Sequence, residues 1–149
     1  MEQIEYPSDF SEFLKLLLSN NVEFLLVGGF AVAYHGYPRA TADLDVWVRR
    51  SAKNAENIVA ALREFGFDGV EVSQELFETP ETVVRMGVAP NRIEILTDID
   101  GVDFPACRSR AVISDVNGSS VPVISLDDLL INKRSSGRPR DLDDIEHLT

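Results

Sequence analysis

The sequence predicts an α+β fold, a small mixed β-sheet flanked by helices, on three observations. Helical and strand-like segments alternate through the first part of the chain, β-patterned segments dominate from Thr82 to Ile124, and helical spacing returns after Ser125. A regular doubly wound sheet would keep alternating to its end, so the run of consecutive strands argues for a mixed sheet with helices on one face. At 149 residues the chain reads as one domain over its whole length, and a chain of that size buries roughly 70% of its unfolded surface, enough for a proper core.

Ser8 stands before Phe10, Phe13, Leu14, Leu17 and Leu18, whose spacing reads as an amphipathic helix capped by that serine and reaching Asn20. Glu23 to Val27 (EFLLV) is short and apolar, and Gly28-Gly29 turns this buried strand sharply into a short helix, Phe30 to His35, which Gly36 and Pro38 end. Asp43 to Arg49 (DLDVWVR) alternates as a strand does. Ala52 to Phe65 carries Ile58, Val59, Leu62 and Phe65 at helical spacing, and GFDG closes that unit. Two strands, TVVRMGV and RIEILT, follow between Thr82 and Thr97, broken at Pro90-Asn91. Ala111 to Val116 and Ser119 to Ile124 flank Asn117-Gly118, a pair that suits a type I′ turn because both central positions take positive φ. Ser125 caps a helix from Leu126 to Arg134, and a last short helix runs from Asp141 to the end.

Composition excludes several kinds of work. With 25 acidic and 14 basic residues the net charge is -11, which repels a polyanion at long range and argues against duplex DNA as a partner. No stretch approaches the roughly 18 apolar residues of a membrane-spanning helix. The start, MEQIEYPSDF, lacks a basic segment followed by an apolar one, and the lone Cys107 cannot form an internal disulfide, so a reducing cytoplasm is the expected address.

Chemistry is concentrated in three places. Asp43 and Asp45 lie two apart at the beginning of a strand, so the pleat points both carboxylates to one face, where they can converge on a hard cation such as magnesium or manganese. The alternative is a solvated strand end. Gly28-Gly29 lies one strand-helix-strand span upstream, where backbone amides can approach an anion closely; the same pair would also let a helix pack tightly on its strand. Glu94, a charge between Ile93 and Ile95, is the candidate third carboxylate for two-metal chemistry, unless it pairs with Arg85 or Arg92, and Asp98 is the fallback. Near the C-terminus KRSSGRPR places Lys133, Arg134, Arg138 and Arg140 together, either to hold phosphates or as cations at a helix C-terminus. Arg39 and Thr41 are further candidates for phosphate contact, whereas His35 and His147 have no partners at ligand spacing.

Together, VGGFAVAYHGYPRATADLDVWV, RIEILTDIDGVDF and ISLDDLLINKRSSGRPRDLDDI resemble the AbiEii-type nucleotidyltransferase family and the minimal nucleotidyltransferases of the polymerase beta-like superfamily, from about Val22 onward. The resemblance implies that Asp43, Asp45 and Glu94 are metal ligands, although the family usually has Asp at the third position. It implies that Gly28 and Gly29 lie near a nucleoside triphosphate, and that Lys133, Arg138 and Asp141 form a K-x4-R-x2-D block contacting the nucleotide or its target. The implied activity is Mg-dependent transfer of a nucleoside monophosphate to an RNA, protein or small-molecule hydroxyl, possible within a toxin-antitoxin pair with a partner protein. The rival reading is a catalytically weak or inactive module of the same fold that binds nucleotide or regulates a partner.

Overall fold

A computed structural model describes residues 5–39, 41, 43–67, 72–87 and 91–149. Val88, Pro90, Asp68 and Gly69, which belong to the expected strand end, hairpin break and GFDG turn, lie outside the described residues. Along the chain run α1 (Ser8–Ser19), β1 (Phe24–Val27), α2 (Gly28–Tyr34), β2 (Asp43–Val48), α3 (Ala52–Phe65), α4 (Gln74–Glu78), β3 (Val83–Met86) and β4 (Arg92–Leu96). There follow α5 (Phe104–Ser109), β5 (Val112–Val116), β6 (Ser119–Val123), α6 (Leu126–Ser136) and α7 (Pro139–Leu148). Among the described residues, no helix is long and apolar enough to cross a membrane.

The strands form one mixed sheet in the order β3-β4-β2-β1-β6-β5. β2 lies between β1, antiparallel to it, and β4, parallel to it, while β1 meets β6 in parallel. The expected hairpin is present: Asn117 and Gly118 both take positive φ, 51° and 88°, and β5 pairs antiparallel with β6. The core joins Phe10, Phe13, Leu14 and Leu17 of α1 to Leu25 and Leu26 of β1, Leu44, Val46 and Trp47 of β2, and Ile58 and Leu62 of α3. Of the other aromatics, Phe77 is buried and Phe67 stays at the rim. β2 thereby buries Leu44 and Val46 while Asp43 and Asp45 remain half-buried on the opposite side of the pleat.

Three local expectations are corrected, and two short helices, α4 and α5, were not expected. Ser8 is inside α1, whose cap is Pro7 without any side-chain bond; the fixed ring sets an extended backbone, and its carbonyl accepts from the Phe10 and Ser11 amides. The second helix begins at Gly28, not Phe30, because Gly28 takes φ 66° and completes the turn out of the strand within one residue. The final helix starts at Pro139, two residues before Asp141, since proline fits a first helical turn and Asp141 reaches back to the Arg138 amide. α4 and α5 are too short to show periodicity; α5 was signalled only by Asp103, which accepts from the Ala106 amide, and by Pro105.

One buried amide side chain ties the strands that carry the site to α3. Asn54 accepts from the Glu23 amide at 2.7 Å and donates to the carbonyls of Glu23 at 3.0 Å and Arg49 at 2.8 Å, joining the start of β1 to the end of β2. Its removal orphans those backbone groups, so Asn54→Ala is expected to lose about 2 kcal/mol of stability in a urea titration. An unchanged midpoint would contradict the tie.

Candidate functional site

Sheet register draws residues of four strands into one row. Val27 at the end of β1 pairs with Asp45, Asp45 with Glu94 on β4, and Glu94 with Arg85 on β3. Side chains directly opposite in neighbouring strands share a face with Cβ atoms roughly 5 Å apart, so this row brings two carboxyl groups and a guanidinium together. Asp43, two residues before Asp45, lies on the same face opposite Arg92.

The three predicted carboxylates therefore interact, and arginines stand among them. Asp45 and Glu94 face each other across the register, and the charges of Glu94 and Asp43 both act on Asp45. Glu94 also accepts from Arg85 Nε at 2.8 Å, so it holds the ion pair offered by the sequence while facing the other acid. Arg92 Nε stands 3.7 Å from Asp43 Oδ1. Among the described residues, no three His, Cys, Asp or Glu side chains are arranged as a ready metal cage.

Asp45 carries the electrostatic burden of this arrangement. Burial first, then the hydrogen bond with Glu94 and the charges of Glu94 and Asp43, push its carboxyl up to about 8, against the opposing charge of Lys133. Its Oδ1 is buried without a hydrogen-bond partner. A carboxyl that keeps its proton to such a pH, with one oxygen unused and two further acids alongside, fits a hard divalent cation that replaces the proton and takes the oxygen.

The diglycine bend is shaped around this acid. Gly28 takes φ 66°, and a Cβ there would overlap the Asp45 carboxyl; a Cβ at Gly29 would overlap the Thr41 hydroxyl. The pair is needed because a carboxyl and a threonine press against the bend. Thr41 Oγ1 in turn makes a long contact, 3.4 Å, to the Asp43 carbonyl. Beside the bend a cavity of about 300 Å³ opens, with Gly28, Asp45, Asp98, Asn132, Lys133 and Arg138 on its walls. Asp98, the fallback ligand, lines this cavity but accepts from the Glu81 amide at 2.7 Å and Arg50 Nη2 at 3.5 Å, apart from the carboxyl row.

Two cations of the basic block, Lys133 and Arg138, meet acids of α7. Lys133 is only 5% exposed, and its Nζ lies 3.2 Å from Asp141 Oδ1 and 3.0 Å from Asp144 Oδ2. Asp141 also accepts from Arg138 Nε at 2.8 Å, and Asp144 accepts from Arg39 Nε at 2.7 Å and Nη2 at 3.0 Å. Burial pushes both aspartates up, but hydrogen bonds from Arg138 and Lys133 to the first, and from Arg39 and Lys133 to the second, outweigh it and hold both below the usual carboxylate range. Arg39 thus anchors α7, and Lys133 reaches the cavity as a fixed cation. Tyr37 reinforces the clasp by stacking on His147 at 4.0 Å and donating to Asp143 at 3.0 Å. Asp144 was missed in the sequence, although its spacing from Asp141 puts both on one face of α7.

A family profile described as "Nucleotidyl transferase of unknown function (DUF2204)" matches residues 6–149. No curated protein matches the chain. Among solved structures, the fold is similar to that of a nucleotidyltransferase candidate from Thermotoga maritima, with TM-score 0.62 and 19% identity, covering 92% of this chain and 88% of that one. It is also similar to ANT(2″)-Ia in complex with adenylyl-2″-tobramycin, with TM-score 0.58 and 10% identity over 93% of this chain and 84% of that one. An antigenic nucleotidyltransferase-like protein from Paracoccidioides brasiliensis gives TM-score 0.53 at 17% identity, over 93% and 72% of the two chains.

Two outcomes follow from these charges. Asp144→Ala leaves Lys133 and Arg39 short of a buried partner and is expected to cost about 3–5 kcal/mol, read from chemical denaturation; a loss below about 1 kcal/mol would refute the clasp. For Asp45 the folded carboxyl binds its proton more tightly than the unfolded one, so the metal-free protein holds the extra stability at low pH and loses it as pH rises towards about 8. The melting temperature without metal should therefore fall between pH 5 and pH 8, by about 2–4 °C for each kcal/mol lost, and Asp45→Asn should flatten that slope. A slope untouched by the substitution would show that Asp45 is ordinary.

Proposed function

The chain belongs to this nucleotidyl transferase family, and from that premise we propose that it moves a nucleoside monophosphate from a nucleoside triphosphate to a hydroxyl group, with magnesium or manganese held at Asp43, Asp45 and Glu94. The observation that carries the reading is the row joining Asp45 to Glu94 beside the glycine bend, with an unused buried oxygen on Asp45. When bound, a divalent cation supplies Lewis-acid polarisation of phosphate oxygens.

The residues of the chain do the rest. Asp43 and Asp45 would hold the cation, and Glu94 would complete that set or take the proton of the acceptor hydroxyl as a base. The hydroxyl oxygen bonds to the α-phosphorus as the bond from that phosphorus to the pyrophosphate oxygen breaks. Lys133, fixed by Asp141 and Asp144 at the cavity wall, and Arg138 beside it offset the charge that develops on the leaving pyrophosphate. Gly28 leaves backbone without a side chain next to Asp45, Thr41 presses against Gly29 from the following loop, and Arg39 of that loop is held by Asp144.

The acceptor is the finer part of the proposal. Adenylyl-2″-tobramycin on one structure of the same fold supports a small-molecule hydroxyl, and the AbiEii-type resemblance supports an RNA or protein hydroxyl within a toxin-antitoxin pair. A second reading, a nucleotide-binding module that regulates a partner protein, is favoured by Arg85 and Arg92 standing against Glu94 and Asp43, two of the acids that a metal would need. The two separate in one assay. Purified protein with magnesium and α-labelled triphosphates should label an acceptor or release pyrophosphate, and Asp43→Ala and Asp45→Ala should each lower the rate at least about a hundredfold, as loss of metal-borne charge stabilisation does. Equal silence of the wild type and the double variant across RNA, protein and small-molecule acceptors would hand the case to the regulatory module.

A further inference from the structure

Resting on the same reading of the carboxylate row, we propose that Arg85 is a built-in counter-cation that a divalent metal must displace from Glu94, so that this one side chain sets the metal affinity of the site. Arg85 lies on β3, at the edge of the sheet, directly opposite Glu94 in the register, and its Nε meets Glu94 Oε1 at 2.8 Å. The Asp45 and Asp43 charges act on the same guanidinium. The row thus contains a cation of its own before any metal arrives, and one of the Glu94 oxygens is spoken for.

The two partners differ in how tightly the fold holds them. Glu94 is 18% exposed and is fixed between β2 and β3, whereas Arg85 is 62% exposed at an open edge. A metal at the acids repels the guanidinium at close range, and Arg85 can swing outward and recover water while Glu94 stays in place. Arg92, 3.7 Å from Asp43 and only 38% exposed, makes only a distant pair, so it is less suited to this exchange. A purely structural staple predicts something else: loss of Arg85 would loosen β3 and leave metal affinity unchanged or weaker.

The test uses manganese alone, without nucleotide or acceptor, and reads binding to the full chain by electron paramagnetic resonance and by calorimetry. Arg85→Gln is expected to bind Mn²⁺ about fivefold more tightly than wild type, the order of effect expected when a partly exposed competing ion pair is removed. Arg85→Lys, which keeps the charge, should stay near wild type, and Asp45→Asn should lose binding. Unchanged or weaker binding in Arg85→Gln, with wild type binding normally, overturns the counter-cation alone. Absence of Mn²⁺ binding in wild type overturns the metal-dependent reading and the counter-cation with it. A melting curve for each variant separates a changed fold from a changed site.

Discussion

A carboxyl buried beside a glycine bend is the constraint about which this protein is arranged. Asp45 enters β2 with its side chain against Gly28, so residue 28 tolerates no Cβ and takes a left-handed φ that glycine adopts at little cost. The antiparallel pairing of β1 with β2 sets the bend beside the acid, and the parallel pairing of β2 with β4 sets Glu94 on its other side. Each contact raises the cost of ionising Asp45, and a proton, an arginine or a divalent cation can lower it. The chemistry of the site follows from which of these is present.

A second charged network fixes the opposite wall of the cavity. Arg39 in the loop after α2, Lys133 on α6 and the more exposed Arg138 form a chain of ion pairs on two buried aspartates of α7. Buried pairs of this kind stabilise little relative to apolar packing but are costly to break singly, which makes them good devices for holding geometry. Here they hold Lys133 at the cavity with its ammonium already oriented, so the cation facing a ligand requires little ordering on binding. The loop that leads into Asp43 is clasped to α7 by the same residues, which couples the two walls.

Much of this was legible in residues. The apolar spacing in α1 and α3, the alternation in Asp43 to Val48 and the Asn117-Gly118 turn identified their elements because each signal is local. The candidate acids were legible as well, since a charge between Ile93 and Ile95 demands a partner. What local pattern could not supply was register. Whether Glu94 faces Asp45, Arg85 or both depends on which strands are neighbours, and the order β3-β4-β2-β1 answers with both. For the KRSSGRPR block the missing knowledge was partly the same: Asp141 and Asp144 fold back onto Lys133 and Arg138, and the partnership of Asp144 was not legible from the chain. The short α4 and α5 left no periodic trace.

The most direct measurement is a crystal structure with Mn²⁺ and a non-hydrolysable triphosphate analogue, located by anomalous scattering. The account predicts a manganese peak bounded by Asp43, Asp45 and Glu94, phosphates in the cavity beside Gly28 and Lys133, and Arg85 withdrawn from Glu94. Manganese bound elsewhere, with Arg85 still on Glu94 and Asp45 Oδ1 still without a partner, would contradict it.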